Sequence, residues 1–386
     1  MMRWHTLRGL SLLTALALVL VACGGGTSPT PTPGAGIPDA NATLVVTSAV
    51  PTAVAMVNEA FPTGTLILTQ LGRPIAQTPD KRTITLADER FGAQGAPNGR
   101  YGVRLKANKD VFDLELIDYS VQPESPKAIP EGVGFSGPGI TWKADSSGFA
   151  FFDFPPPGEN RPTSKVIYYY DLASGQTRHL TQISTPGQIV NSIAFSPDGN
   201  RLLYVVADAN AEGIGGEGSL PAVLDLASSQ STSLPPEAIL GFVQWLTDGS
   251  GFLTLTGDME GGAAVNVFKL DGSAQLTRIT PQGESDTLVA LSPDGRYVVT
   301  TSKGASGDAV NLYRMKLDGT GREAISKFTQ SEQDQTITGL VWGLDGIYYS
   351  LTASADQSES TFRVDLDGAN AASVAVGTLY RIVGAP

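Results

Sequence analysis

The stretch IAFSPDGNRLLYVV (193–206) decides the fold. Two apolar runs flank Pro197-Asp198-Gly199: proline sets φ, the aspartate bonds nearby backbone, and glycine takes positive φ, which together predict a tight β-hairpin. Versions of the hairpin recur as GAPNGRYGVRLK (95–106), ITWKADSSGFAFFDF (140–154), VQWLTDGSGFLTLT (243–256), VALSPDGRYVVTTS (289–302) and LVWGLDGIYYSLT (340–352). Aligned on Asn98, Asp145, Asp198, Asp248, Asp294 and Asp345, they are spaced by 47, 53, 50, 46 and 51 residues. A period near 49 belongs to propellers, whose unit is a four-stranded sheet.

A second turn follows inside most units, at DLASGQ (171–176), DLASSQ (225–230), LDGSAQ (270–275), LDGTGR (317–322) and LDGANA (366–371). Each unit therefore divides into strand A, the Asp-Gly turn, strand B, a variable loop, strand C, the second turn and strand D. Inner strands of stacked sheets are buried on both faces, so they read as continuous apolar runs, as in RLLYVVA (201–207) and GFAFFDF (148–154). Trp142, Phe195, Trp245, Leu291 and Trp342, each three residues before a turn Asp, are assigned to the packing between blades. Gly95 holds that place in the faintest copy.

The FSPDG and LSPDG hairpins with their LDG and TRIT-like sequels resemble the TolB-type, WD-repeat-like propeller repeats over most of residues 95–375. The resemblance implies an all-β propeller; it does not imply one function, because propellers host many activities. Residues 43–386 number 344, enough for seven units. The seventh is expected to close the ring, with 43–78 supplying strands B, C and D and TLYRIVG (378–384) supplying strand A. Two other arrangements are open to the sequence: six blades, or a β-sandwich at 43–125 ahead of a smaller propeller.

The N-terminus carries a different signal. Arg3 and Arg8 precede thirteen nearly uninterrupted apolar residues, LSLLTALALVLVA (10–22), which is short for a spanning helix and suits a secretory signal peptide, 1–22. Leu20-Val21-Ala22-Cys23 resembles the bacterial lipobox, which implies cleavage before Cys23 and acylation of the only cysteine in the chain. With two or more acyl chains the anchoring would be stable. With Gly24 rather than Asp after it, lipoprotein sorting in a two-membrane bacterium implies the outer membrane, and a one-membrane bacterium would display the protein on its outer surface. The Pro- and Thr-rich segment ending at residue 42 cannot bury enough apolar surface to offset its ordering entropy, so 23–42 is expected to be a tether. The propeller is then 43–386.

Composition narrows the chemistry. With 38 acidic and 26 basic residues the chain carries −12, or −14 without residues 1–22, which argues against nucleic acid as a partner. Beyond the signal peptide His179 is the only histidine, so neither a Ser-His-Asp triad nor a His-rich metal site is expected, and no GxSxG elbow marks a prolyl-oligopeptidase-like hydrolase. Asp113 and Glu115 share one strand face at about 7 Å, inside the range of an inverting glycosidase pair. Their alternation with Phe112, Leu114 and Leu116 reads instead as a strand with one wet face.

Loops between strands B and C gather on one rim of such an array. Over five of them Glu159, Asp208, Glu212, Glu217, Asp258, Glu260, Asp308, Asp356 and Glu359 face only Arg161 and Lys303. This acidic rim suits a basic protein segment. Asp208, Asn210 and Glu212 alternate as in a calcium loop but lack its glycine and terminal glutamate, so no cofactor beyond a possible Ca²⁺ is expected. The expected function is a lipid-anchored envelope scaffold that binds a protein or wall polymer without catalysis. The competing expectation is an extracellular carboxylate- or calcium-dependent enzyme of glycosidase or lactonase type.

Overall fold

The computed structural model describes residues 61–70, 73–85, 95–108, 111–121, 125–134, 139–152, 165–183, 188–208, 220–235, 243–258, 262–272, 275–303, 310–328, 335–353 and 356–384. All lie in the compact unit Ala53–Pro386.

Local chemistry builds the repeated turn as the sequence predicts. In blade 4 the Gly199 amide donates to the Ser196 carbonyl (2.8 Å), and Asp198 Oδ1 accepts from Ser196 Oγ (2.5 Å) and the Asn200 amide (3.1 Å). Asn98, Asp145, Asp248 and Asp294 each accept from the backbone amide two residues on, at 2.9–3.1 Å. Asp345 departs from this pattern. Its turn is shorter, with Trp342 opposite Ile347, and its carboxylate accepts from Tyr348 Oη and Arg363 Nε.

Antiparallel pairing from each turn gives seven sheets, ordered A to D. Blade 3 is Ile140–Trp142, Gly148–Phe152, Lys165–Asp171 and Gln176–Ile183; blade 4 is Gln188–Phe195, Arg201–Asp208, Leu220–Asp225 and Ser231–Ser233. Blade 5 is Val243–Trp245, Gly251–Asp258, Gly262–Lys269 and Leu276–Arg278; blade 6 is Ser285–Leu291, Tyr297–Lys303, Val310–Lys316 and Glu323–Ala324. Blade 7 is Gln335–Trp342, Ile347–Ala353, Glu359–Val364 and Ala372–Val376. Blade 2 shows strands B to D at Tyr101–Asn108, Val111–Asp118 and Lys127–Gly134, with Gly95 bridged to Gly102 where strand A ends. The faint copy GAPNGRYGVRLK is thus a full member of the ring.

Blade 1 closes the ring. C-terminal Thr378–Ile382 is its strand A and pairs with Leu66–Gln70, followed by Arg73–Gln77 and Thr83–Thr85. The N-terminal strands therefore come from 66–85 and not from 43–78. TGTLILTQL supplies strand B, RPIAQT is strand C, and RTITLADERF begins with strand D. TLVVTSAV (43–50), Cys23 and the tether lie outside the described residues. The separate sandwich and the six-blade ring are both excluded, because Leu66–Gln70 is hydrogen-bonded to the C-terminal strand and 101–108 belongs to its own blade.

The core lies between blades. Side chains alternate across a strand, so Leu202, Tyr204 and Val206 pack with Tyr169 and Phe152 of blade 3, while Leu203 and Val205 pack with Trp245 and Phe252 of blade 5. Among the described residues there are seven apolar clusters, and each joins two successive blades, with Leu66, Leu68 and Leu379 of blade 1 meeting Tyr348 of blade 7. Phe195, Trp245 and Leu291 are buried in these seams, and Trp142 and Trp342 pack half-buried against them, as expected from the repeat. The turns also approach one another around the ring. A Cβ on Gly295, whose φ is +71°, would lie 2.4 Å from Thr247 Oγ1 of blade 5, so glycine there serves both the turn and the close approach.

Turn hydrogen bonds hold the Asp145, Asp198, Asp248 and Asp294 carboxyls below their ordinary 3.8; at Asp294, bonds from Ser292 and Arg296 bring the value to about 2. Stability from such groups is complete above the unfolded value and is lost as pH falls through the folded one. Acid titration followed by circular dichroism should accordingly show loss of stability between about pH 4 and pH 2. Asp294→Asn should flatten that slope, its cost showing at neutral pH, where the bonds from Ser292 and Arg296 to the carboxylate are complete, and fading toward pH 2.

Candidate functional site

In an antiparallel A-to-D sheet the A–B and C–D turns emerge on one side of the ring and the B–C and D–A connections on the other. The B strands that lead into the five acidic loops end at Phe152, Asp208, Asp258, Lys303 and Ala353, all on the side away from the turns. Glu159, Asn210, Glu212, Glu217, Glu260 and Asp308 lie outside the described residues, and Asp208 and Asp258 are fixed as the last strand B residues of blades 4 and 5. Asp356 is exposed, and its carboxyl, bonded by the Ser358 side chain and amide, is held below the ordinary range. Glu359 opens strand C of blade 7 and is half-buried. Both described ends of the chain lie on the opposite, turn-bearing side, where the Gly64 amide donates to the Val383 carbonyl (2.9 Å) and the Gly384 amide to that of Pro97 (3.3 Å).

Among the described residues two acids are deeply buried, and cations engage both. Asp286, at the start of strand A in blade 6, is fully buried; it accepts from Thr280 Oγ1 (2.5 Å), Thr300 Oγ1 (3.2 Å) and Arg322 Nη2 (2.9 Å). Arg322 also pairs with Glu284 (2.8 Å) and lies over the Tyr313 ring (4.5 Å). Thr280 Oγ1 accepts from the Val265 amide of blade 5 (2.8 Å), so the network bridges blades 5 and 6.

Glu115 corrects the reading of a wet face: its side chain is 8 % exposed, between Arg104 (2.7 Å) and Lys106 (3.0 Å). Burial pushes its carboxyl up, but the bonds from Lys106 and Arg104 outweigh that and hold it below the ordinary range. The strand is sandwiched, with Leu114 and Leu116 toward blade 3 and Ile117 and Tyr119 toward blade 1. His179 is exposed on strand D of blade 3, edge-on to Tyr168. Among the described residues no group of three or more His, Cys, Asp and Glu is placed to hold a metal ion, and no helix is long and apolar enough to cross a membrane.

One feature escapes sequence reasoning. A cleft of about 340 Å³ is lined by Lys143, Tyr169, Asp171, Ser174, Gln176 and Arg178 of blade 3. Beside it stands Gly148, opposite Asp171 in the register where blade 4 has Arg201 opposite Asp225 and blade 6 has Tyr297 opposite Lys316, a place that Gly251 fills in blade 5, opposite Lys269.

No family model matches the chain, and no curated protein does. Among solved structures, one from a study of two prolyl endopeptidases superposes with a TM-score of 0.58 at 16% identity, covering 84% of this chain and 52% of its own. Prolyl oligopeptidase B from Galerina marginata gives 0.54 at 14% identity, covering 81% and 48%. TolB from Acinetobacter baumannii gives 0.42 at 14% identity, covering 80% and 77%. The chain spans about half the length of these peptidases, and at such identities the likeness to them is one of fold alone.

The buried Asp286–Arg322 pair makes its own prediction. Removing one member of such a pair strands the other charge, so Arg322→Ala should cost about 3–5 kcal/mol in urea unfolding. Glu284→Gln, at the solvent side of the same guanidinium, should cost about 1 kcal/mol or less.

Proposed function

We propose that this chain is a lipid-anchored propeller of the bacterial cell envelope that binds a partner, without catalysis, through its acidic loop rim. The observation that supports the reading is that the B strands of blades 3 to 7 all end on one side of the ring, at Phe152, Asp208, Asp258, Lys303 and Ala353, where the five acidic loops follow them in the sequence.

Chemistry supports a basic protein segment as the occupant. Carboxylates focused on one side of a ring steer cations toward it and repel polyanions such as nucleic acid. The deeply buried acids Asp286 and Glu115 are already neutralised by Arg322, Arg104 and Lys106, and their role in the reading is to hold blades together.

The test is cross-linking in intact envelopes, comparing the native chain, a rim variant with Asp208, Asp258, Asp308 and Asp356 changed to Lys, and Cys23→Ser. The native chain should cross-link through rim loops to a protein whose contacting peptides are basic, the rim variant should lose that product, and Cys23→Ser should release the protein from membranes. Equal cross-linking by the rim variant would remove the rim from the proposal. Membrane retention of Cys23→Ser would remove the anchor.

A further inference from the structure

We propose that the cleft on blade 3 is a second binding site, taking an acidic saccharide unit on the side of the ring opposite the acidic rim. Where blade 4 carries Arg201, whose guanidinium lies over Trp245 (5.3 Å) and bonds the Gly249 carbonyl (2.7 Å), blade 3 has Gly148. With no side chain there, the Tyr169 phenol lies against Gly148: a Cβ on that glycine would come within 2.4 Å of Tyr169 Oη. The cleft opens beside that ring, between the A–B turn and the C–D turn of the blade. Its volume of about 340 Å³ falls at the small end of ligand pockets, about 300–1,000 Å³.

The lining is chemically selective. Lys143 Nζ lies 5.3 Å from the Tyr169 ring centroid and Arg178 Cζ 4.9 Å from it, so one buried ring holds two cations beside the same cleft. Among the described residues neither cation has a carboxylate within ion-pair distance. Asp145, two residues beyond Lys143, is committed to the Ser147 amide of its turn (2.9 Å).

Asp171 accepts from the Ser174 amide (2.8 Å) and hydroxyl (2.9 Å) through Oδ1 alone, which leaves Oδ2, with the Gln176 amide, to take bonds from ligand hydroxyls. Two cations call for an oxyanion; a carboxylate and an amide alongside them call for hydroxyl donors. A hydroxylated ring bearing an acid group satisfies both, whereas a bare anion would face Asp171 with nothing to donate. The acidic rim repels a polyanion, so the two sides of the ring select ligands of opposite charge.

Calorimetry on the whole chain tests this with four probes: trigalacturonate, monomeric galacturonate, neutral galactotriose and inorganic phosphate. Trigalacturonate should bind in a salt-dependent manner, with galactotriose and phosphate each weaker by roughly tenfold or more, the ratio that about 1.4 kcal/mol carries. Monomer binding as tight as trimer assigns the cleft to a free sugar acid, and tighter trimer binding assigns it to a polysaccharide; both support the site. Arg178→Gln and Lys143→Gln should each weaken trigalacturonate roughly tenfold at unchanged melting temperature, because both side chains line the cleft and neither holds an ion pair among the described residues. Absence of binding, equal affinity for galactotriose or phosphate, or unchanged affinity in both variants would overturn the proposal.

Discussion

Face-to-face packing of successive sheets is the interaction on which the rest of this protein depends. No blade has a core of its own. Each apolar cluster is shared by two blades, and alternate residues of one strand, such as Leu202 and Leu203, belong to different seams. Burial of this kind contributes roughly 25 cal/mol per Å² of apolar surface, and here a blade gains it only when both neighbours are in place. Ring closure follows as a requirement: an open end would leave one face of blade 1 and one of blade 7 in water. Thr378–Ile382 meets that requirement by pairing with Leu66–Gln70, and Leu379 and Ile382 then fill the seam with Tyr348.

Much of this architecture is legible in the sequence because it is repeated. The Asp-Gly turn, the apolar residue three positions before it and the period near 49 are local and recur, so each copy checks the others. Even the weak copy at Asn98 keeps the turn bond to the Arg100 amide. Features that occur once have no second copy to check them. TLVVTSAV and TGTLILTQL have the same β character, and only the pairing with the C-terminal strand assigns strand B of blade 1 to the second. Alternation along the Glu115 strand cannot say that both of its faces are covered. Asp286 and Arg322 are 36 residues apart, with nothing in either segment to announce a pair. The cleft gathers Lys143 from the A–B turn with Tyr169, Asp171 and Arg178 from strands C and D, a meeting visible only once the register is known.

The A–B turns of blades 3 to 6 are capped by their own aspartates, which spend acceptors on backbone amides. Packing consumes the repeated positions, and the proposed binding roles fall on non-repeated ones: the carboxylates of the B–C loops, and Lys143 and Arg178 beside Tyr169 on the turn-bearing side.

Closure by the C-terminal strand is the central claim, and hydrogen exchange on a chain ending at Gly377 tests it most directly. The amides of Leu66–Thr69 are some 300 residues from the deletion, yet alternate ones face the missing strand and the whole segment packs through it. Closure predicts that they lose most of their protection together with Tyr348 of blade 7, while Leu202–Val206 of blade 4 keeps its own. Unchanged protection at Leu66–Gln70 would contradict a ring closed by its two ends.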